Sequence, residues 1–267
     1  MLQEATKERA GQRDGTLIHD WKNQTSSESQ SYDRLGEYFD TSLGSTISKL
    51  ENFPKYARRQ ALSKFLARAD LFRMILDVHG VVIDGGINAG CSLMTFAQLS
   101  AIFEPINYTR RIIGFDTFTG IPDLDPKDEN PGKTSPHVCP GGFSAVGYDE
   151  DIRRAVEIFD TNRGLGHIPK VELVVGDVRE TMPRYLEENP HILVAVLHLD
   201  MDVYSATKVA IETFYPRMPK GAMIIFDEIN QPGYPGETLA VQESLGIRNL
   251  RVQRCAYETG LSYAILE

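Results

Sequence analysis

The sequence predicts a doubly wound, mostly parallel α/β sheet closed by a C-terminal antiparallel hairpin. Three observations carry that class. Five short runs rich in valine and isoleucine each stop at an acid: 81–83 at Asp84, 112–115 at Asp116, 171–176 at Asp177, 192–199 at Asp200 and 222–226 at Asp227. Continuous apolar runs of this length fit strands covered on both faces. Helical stretches separate them, which makes βαβ units. The last two runs, 250–256 and 261–266, have only Tyr257-Glu258-Thr259-Gly260 between them, so they read as a hairpin and not a crossover.

Taken in order, residues 1–50 are polar and include Ser26-Ser27-Glu28-Ser29-Gln30-Ser31, an arm expected to be partly flexible. Trp21, Tyr32, Tyr38 and Phe39 are apolar enough to dock. From Phe53 the composition changes. Pro54 suits a helix start, and apolar residues from Tyr56 to Leu76 recur at near-helical spacing, which predicts a helix over 55–78. Its basic residues, among them Lys64 and Arg68, read as a solvated face, with Arg58 or Arg59 reaching an anionic ligand group as the sharper alternative. Further helices are expected over 92–103, 149–163, 179–188 and 206–216. The stretch 122–147 carries Pro122, Pro126, Pro131, Pro136 and Pro140 with four glycines. A loop this long reads as a substrate lid, with His137 and Phe143 as contacts, or as a plain surface loop.

Composition narrows the function. The chain has 267 residues, 42% hydrophobic, with a formal net charge of −9 and a pI near 5.2. That acidity argues against a nucleic-acid partner. No apolar run approaches the roughly 20 residues of a membrane span, and the first residues lack the apolar core of a signal peptide. Cys91, Cys139 and Cys255 form neither a disulfide framework nor a zinc pattern. The expectation is a cytoplasmic protein.

The segment from Val81 to Ser92 is strand, glycine-rich turn and helix start. A dinucleotide fingerprint fails because Ile87 occupies its middle glycine, and no Gly-Lys-Ser/Thr follows for a P-loop. What remains is Asp84-x-Gly86-x-x-x-Gly90, an acid before two spaced glycines. A carboxylate there repels a pyrophosphate and attracts an ammonium or sulfonium. The spacing resembles motif I of the class I S-adenosylmethionine-dependent methyltransferases. The expected cofactor set is therefore Asp84, Gly85, Gly86, Asn88, Gly90 and Ser92 at the methionyl end, Asp116 and Thr117 at the ribose, and Gly176, Asp177 and Val178 at the adenine. A tight turn without ligand, with the acids as helix caps, is the alternative.

His198-Leu199-Asp200-Met201-Asp202 ends the fourth run and Asp227-Glu228 the fifth. Neighbouring strands lie about 5 Å apart, so these carboxylates can approach and must be protonated or bind a cation. Oxygen ligands select Mg²⁺ or a similar divalent ion. Asp200, Asp227 and Glu228 are the expected metal ligands. His198, sharing strand parity with Asp200, reads as a catalytic-site or core histidine.

Two segments then carry a family resemblance. Phe115-Asp116-Thr117-Phe118-Thr119-Gly120-Ile121-Pro122 resembles the F-D-[ST]-F-x-G-[IF]-P segment of the macrocin O-methyltransferase family, and Leu199-Asp200-Met201-Asp202-Val203-Tyr204-Ser205-Ala206-Thr207 resembles its L-D-x-D-x-Y-x-x-T segment. Arg59 to Leu66 also looks like its counterpart upstream of motif I. The resemblance implies a Rossmann-like class I methyltransferase domain over 51–267. It implies metal-dependent methylation of a sugar hydroxyl on a glycosylated natural product or nucleotide-linked deoxysugar. By it Asp200, Asp227 and Glu228 match the metal positions, Asp116 the ribose acid, and Asp200 or Asp202 the base. Glu228 departs from the commoner Asp, a longer arm. The expected partner is a small-molecule glycoside or nucleotide sugar, with no nucleic acid and no membrane; a homo-oligomer is compatible. A metal-dependent methyltransferase of catechols is the competing enzyme class.

Overall fold

A computed structural model describes residues 26–267. Trp21 and the start of the expected arm lie outside the described residues. The chain divides into two compact units at Ser63/Lys64. In the first, helices α1 (Ser26–Thr41) and α2 (Thr46–Glu51) precede a single 3₁₀ turn, Phe53–Lys55. The serine-rich stretch expected in the arm is thus the first part of α1. Ser45 caps α2 by accepting the Ser48 N–H. Tyr56 packs on Tyr38 and Phe39, with ring centroids 5.6 and 5.2 Å away.

Helix α3 (Arg59–Arg73) is shorter than expected at both ends. Pro54 sits in the 3₁₀ turn and not at the start of the helix, and the backbone after Arg73 continues in turns. The second unit, from Lys64, holds strands β1 (Val81–Gly85), β2 (Ile112–Asp116), β3 (Val171–Val175), β4 (Val194–Leu199), β5 (Met223–Phe226), β6 (Gln253–Arg254) and β7 (Ser262–Ile265). Its other helices are α4 (Cys91–Phe103), α5 (Tyr148–Thr161), α6 (Val178–Glu188), α7 (Tyr204–Phe214) and α8 (Pro235–Ser244). The sequence reading did not anticipate α8; its apolar residues show no strong helical face.

The strands form one sheet in the order β3-β2-β1-β4-β5-β7-β6. β1 to β5 are parallel, and β7 runs antiparallel to both β5 and β6. The C-terminal hairpin therefore closes the sheet as expected, with its second strand inside and its first at the edge. Side chains alternate across the sheet. Ile83, Phe115, Leu197 and Ile224 pack with Met182, Phe214 and Val241 from α6, α7 and α8. Val82, Ile112, Val196 and Ile225 pack with Phe72, Phe96 and Ile152 from α3, α4 and α5. Burying each such side chain contributes about 1.5–3 kcal/mol, so both layers are needed.

The chain winds outward from β1 to β3, then returns to place β4 on the other side of β1. The strand order reverses between β1 and β4, and ligands of such sheets bind outside the strand tips at that point. The 122–147 segment is tied down beside these tips. Asp125 and Asp128 form a capping box around the 3₁₀ turn Pro126–Asp128. Buried Asp128 also accepts the Tyr204 N–H at 2.6 Å, and the Ser135 N–H donates to the Gly233 carbonyl at 3.0 Å.

Candidate active site

The glycine turn and the acidic tip of β4 are built against each other. Gly86 has φ +82°, and a Cβ there would lie 1.8 Å from the Asp200 carbonyl oxygen. A side chain at 86 would thus push the two tips apart. Gly90, φ +84°, ends the turn as the N-cap of α4. Asn88 and Phe118 are also left-handed, at φ 46° and 56°. Asp116 explains both: its Oδ2 accepts the Asn88 N–H at 2.8 Å and its Oδ1 the Phe118 N–H at 2.6 Å. The residue expected to face the ribose thereby also fixes the glycine turn. Burial raises its carboxyl above the ordinary range, opposed by those two N–H donors. Thr117 donates to the Gly120 carbonyl, which holds the next turn.

Other residues of the expected cofactor set have different neighbours. Asp84 is inside β1, fully buried, with Oδ1 2.6 Å from His198 Nδ1. β1 continues through Gly85, and Asp84 pairs with a histidine on the neighbouring strand while its Oδ2 has no hydrogen-bond partner. Asp177 is the N-cap of α6, accepting the Arg179 N–H at 2.9 Å. Both of its oxygens also receive the Arg179 guanidinium, which holds the carboxyl below the usual range. Val178, the first residue of α6, is buried in the core. Gly176, φ +136°, faces Thr181, and Ser92 is buried in the first turn of α4.

The acids of β4 and β5 do converge. One carboxylate oxygen each of Asp200 and Asp227 and one imidazole nitrogen of His198 lie within 4.8 Å of one another. Parallel register makes this so: His198 pairs with Ile225 and Leu199 with Phe226, which brings the next residues, Asp200 and Asp227, side by side. His198 is fully buried, and its Nε2 has no hydrogen-bond partner. Burial, then the neighbouring Asp227, pushes the Asp200 carboxyl up to about 6. Burial and Asp200 drive Asp202 well above the ordinary range, and Asp202 is left-handed at φ 65°. Strain and disfavoured charge at one strand tip mark a functional site. Glu228 stands outside the trio. It is fully buried, its N–H donates to Glu237 Oε1 at 3.1 Å, and burial with Asp227 raises its carboxyl.

Two cations answer these acids. Lys64 Nζ lies 3.2 Å from Asp227 Oδ2, and Arg68 Nη2 lies 4.0 Å from Asp200 Oδ2. Burial pulls both down, but Asp227 and then Asp200 more than offset it and raise them. A four-residue spacing on one helix was the available signal; the general habit of charges to stay solvated hid it. Glu237 on α8 is a buried acid whose Oε2 has no hydrogen-bond partner; no sequence pattern marks it. Beside the acids stands an aromatic wall. Phe143 lies 5.5 Å from His137 and 6.4 Å from Tyr234 between centroids, and the Tyr234 hydroxyl donates to Ser135 Oγ at 3.0 Å.

The sequence pattern of the macrocin O-methyltransferase family (TylF) matches residues 62–244, more than half of the chain. This protein belongs to that family. The crystal structure of CalS11, a calicheamicin methyltransferase, is 33% identical, with a TM-score of 0.87 over 95% of this chain and 98% of that one. The apo structure of CalS11, described as a TDP-rhamnose 3'-O-methyltransferase of calicheamicin biosynthesis, is 32% identical, with a TM-score of 0.78 over 95% and 99%. The O-methyltransferase NovP, at 20% identity and a TM-score of 0.56 over 75% and 79%, shares the fold. No curated protein matches the chain in sequence. The sheet is that of the class I methyltransferases, and the chain is an O-methyltransferase. Among the described residues no helix is long and apolar enough to cross a membrane.

Proposed function

We propose that this enzyme transfers a methyl group from S-adenosylmethionine to a sugar hydroxyl of a nucleotide-linked deoxysugar or glycosylated natural product, with a divalent cation, best Mg²⁺, at the acid pair. The single observation that carries the reading is the convergence of Asp200 and Asp227 beside the glycine turn at the switch point. The likeness to CalS11, whose acceptor is a TDP-linked rhamnose, supports the sugar.

The residues fit both groups. The Asp200–Asp227 pair is oxygen-rich, and burial with the neighbouring Asp227 disfavours the charge of Asp200, which is the setting that attracts a hard cation. Asp200 and Asp227 would hold it, with Glu228 adjacent. S-adenosylmethionine, when bound, supplies an electrophilic methyl; the cation, when bound, lowers the pKa of a coordinated oxygen. The chain's own residues do the rest. Asp116 holds the Asn88 turn that shapes the nucleoside side. Asp202, with its raised pKa, or Asp200 accepts the proton of the acceptor hydroxyl. Phe143, His137 and Tyr234 exclude water and align the acceptor.

The test is a screen of nucleotide sugars and glycosylated natural products with a labelled methyl donor, run with Mg²⁺ and with EDTA, followed by mapping of the modified oxygen. Transfer to a sugar oxygen that EDTA abolishes supports the reading. Transfer to catechols alone moves the enzyme to the phenolic class. Transfer unaffected by EDTA removes the metal.

A further inference from the structure

We propose that Lys64 is a displaceable internal counter-ion: its ammonium holds Asp227 in the metal-free enzyme and gives that oxygen up when a divalent cation binds. The inference rests on the metal reading above. Ionised Asp200 and Asp227 carry two negative charges, and Lys64 and Arg68 carry two positive ones. Lys64 and Arg68 thus offset the charge of the acid pair when no metal is bound.

The two cations differ in freedom. The Arg68 side chain is 3% exposed, and its Nε has no hydrogen-bond partner. Moving it out of this acidic pocket would separate a buried charge from Asp227 and Asp200, the acids that hold it. The Lys64 side chain is 27% exposed and sits one turn nearer the helix start. Its flexible four-carbon stem can carry the ammonium into water. A divalent ion on Asp227 would stand within a few ångströms of that ammonium, where like charges repel strongly in a partly buried site. Lys64 must leave for the ion to bind, and the work of moving it lowers metal affinity. Arg68 stays and keeps Asp200 ionised. The same device guards the metal-free enzyme: Lys64 keeps the tips of β4 and β5 from repelling each other.

The experiment is calorimetric titration of the full chain with Mg²⁺ at pH 7.5, for wild type, Lys64→Met, Lys64→Arg and Asp227→Asn. Thermal unfolding is followed for each in EDTA and in Mg²⁺. Lys64→Met should bind Mg²⁺ about tenfold more tightly than wild type. It should melt at a lower temperature than wild type in EDTA and gain more on adding Mg²⁺. Lys64→Arg keeps the charge and should stay within about twofold of wild type. A merely structural lesion lowers affinity, so the sign of the change separates the two. Lys64→Gln serves in place of Lys64→Met if the latter does not fold. Equal or weaker Mg²⁺ binding by the neutral variant, with wild type binding and Asp227→Asn not, overturns the counter-ion and leaves the metal. Absence of Mg²⁺ binding in all four proteins overturns the metal reading and this inference with it.

Discussion

The strand tips on the two sides of the switch point use the same residue type in opposite ways. On the β2 and β3 side, Asp116 and Asp177 have their oxygens filled by donors: the Phe118 N–H two residues on and the Asn88 N–H of the glycine turn for one, the Arg179 N–H and guanidinium for the other. On the β4 and β5 side, burial and then Asp227 disfavour Asp200 as an anion, burial and then Asp200 disfavour Asp202, and the cations that answer Asp227 and Asp200 come from a helix distant in sequence. An acid held by backbone N–H groups, as Asp116 is, is part of the architecture of the turns it joins. Asp227 is met instead by the partly exposed side chain of Lys64 and Asp200 by the buried Arg68.

The contrast can be broken most easily at Asp200. Asp200→Asn keeps the shape and removes the charge, and turnover should fall about a thousandfold with cofactor affinity nearly unchanged. A large loss of cofactor binding, measured by calorimetry, would contradict the division between the two sides. Asp116→Ala should do the reverse. Loss of a charged acceptor of two N–H bonds should weaken S-adenosylmethionine binding about ten- to a hundredfold, and much of the loss should come from a loosened turn around Asn88. Asp116→Asn, which keeps one acceptor oxygen, should lose less.

Acidity sharpens the comparison further. Because the Asp200 carboxyl sits near 6, protons compete with a cation there below that pH and hardly at all above 7. Mg²⁺ affinity should be flat above pH 7 and fall by up to about tenfold per unit below pH 6. A titration series showing no drop between pH 7 and 5 would remove Asp200 from the ligand set. The smallest effect is expected at Asp177. Its alanine variant should lose about 1 kcal/mol of stability as a missing helix cap, seen in denaturant melts, with little change in KM for the methyl donor. A large KM change would instead support Asp177 at the adenine.

The architecture was written in local patterns. Val- and Ile-rich runs such as 112–115 between helical stretches can be satisfied only as covered parallel strands, and a turn without a helix at 257–260 can close only as a hairpin. Asp200 and Asp227 were legible for the same reason, since both stand one residue beyond paired strand ends. Helix α8 was not, because no strong apolar face marks it, and its buried Glu237 was invisible with it.

What the sequence determined by itself was the succession of the five parallel strands with the helices between them, the closing hairpin, and the residue types at each strand tip, because periodicity and turn chemistry act between near neighbours. Which acid meets what was decided only in three dimensions. Asp84 pairs with His198 across 114 residues and Lys64 with Asp227 across 163. Electrostatic energy depends on distance and burial, and both are properties of the packed sheet and of the helix laid over it.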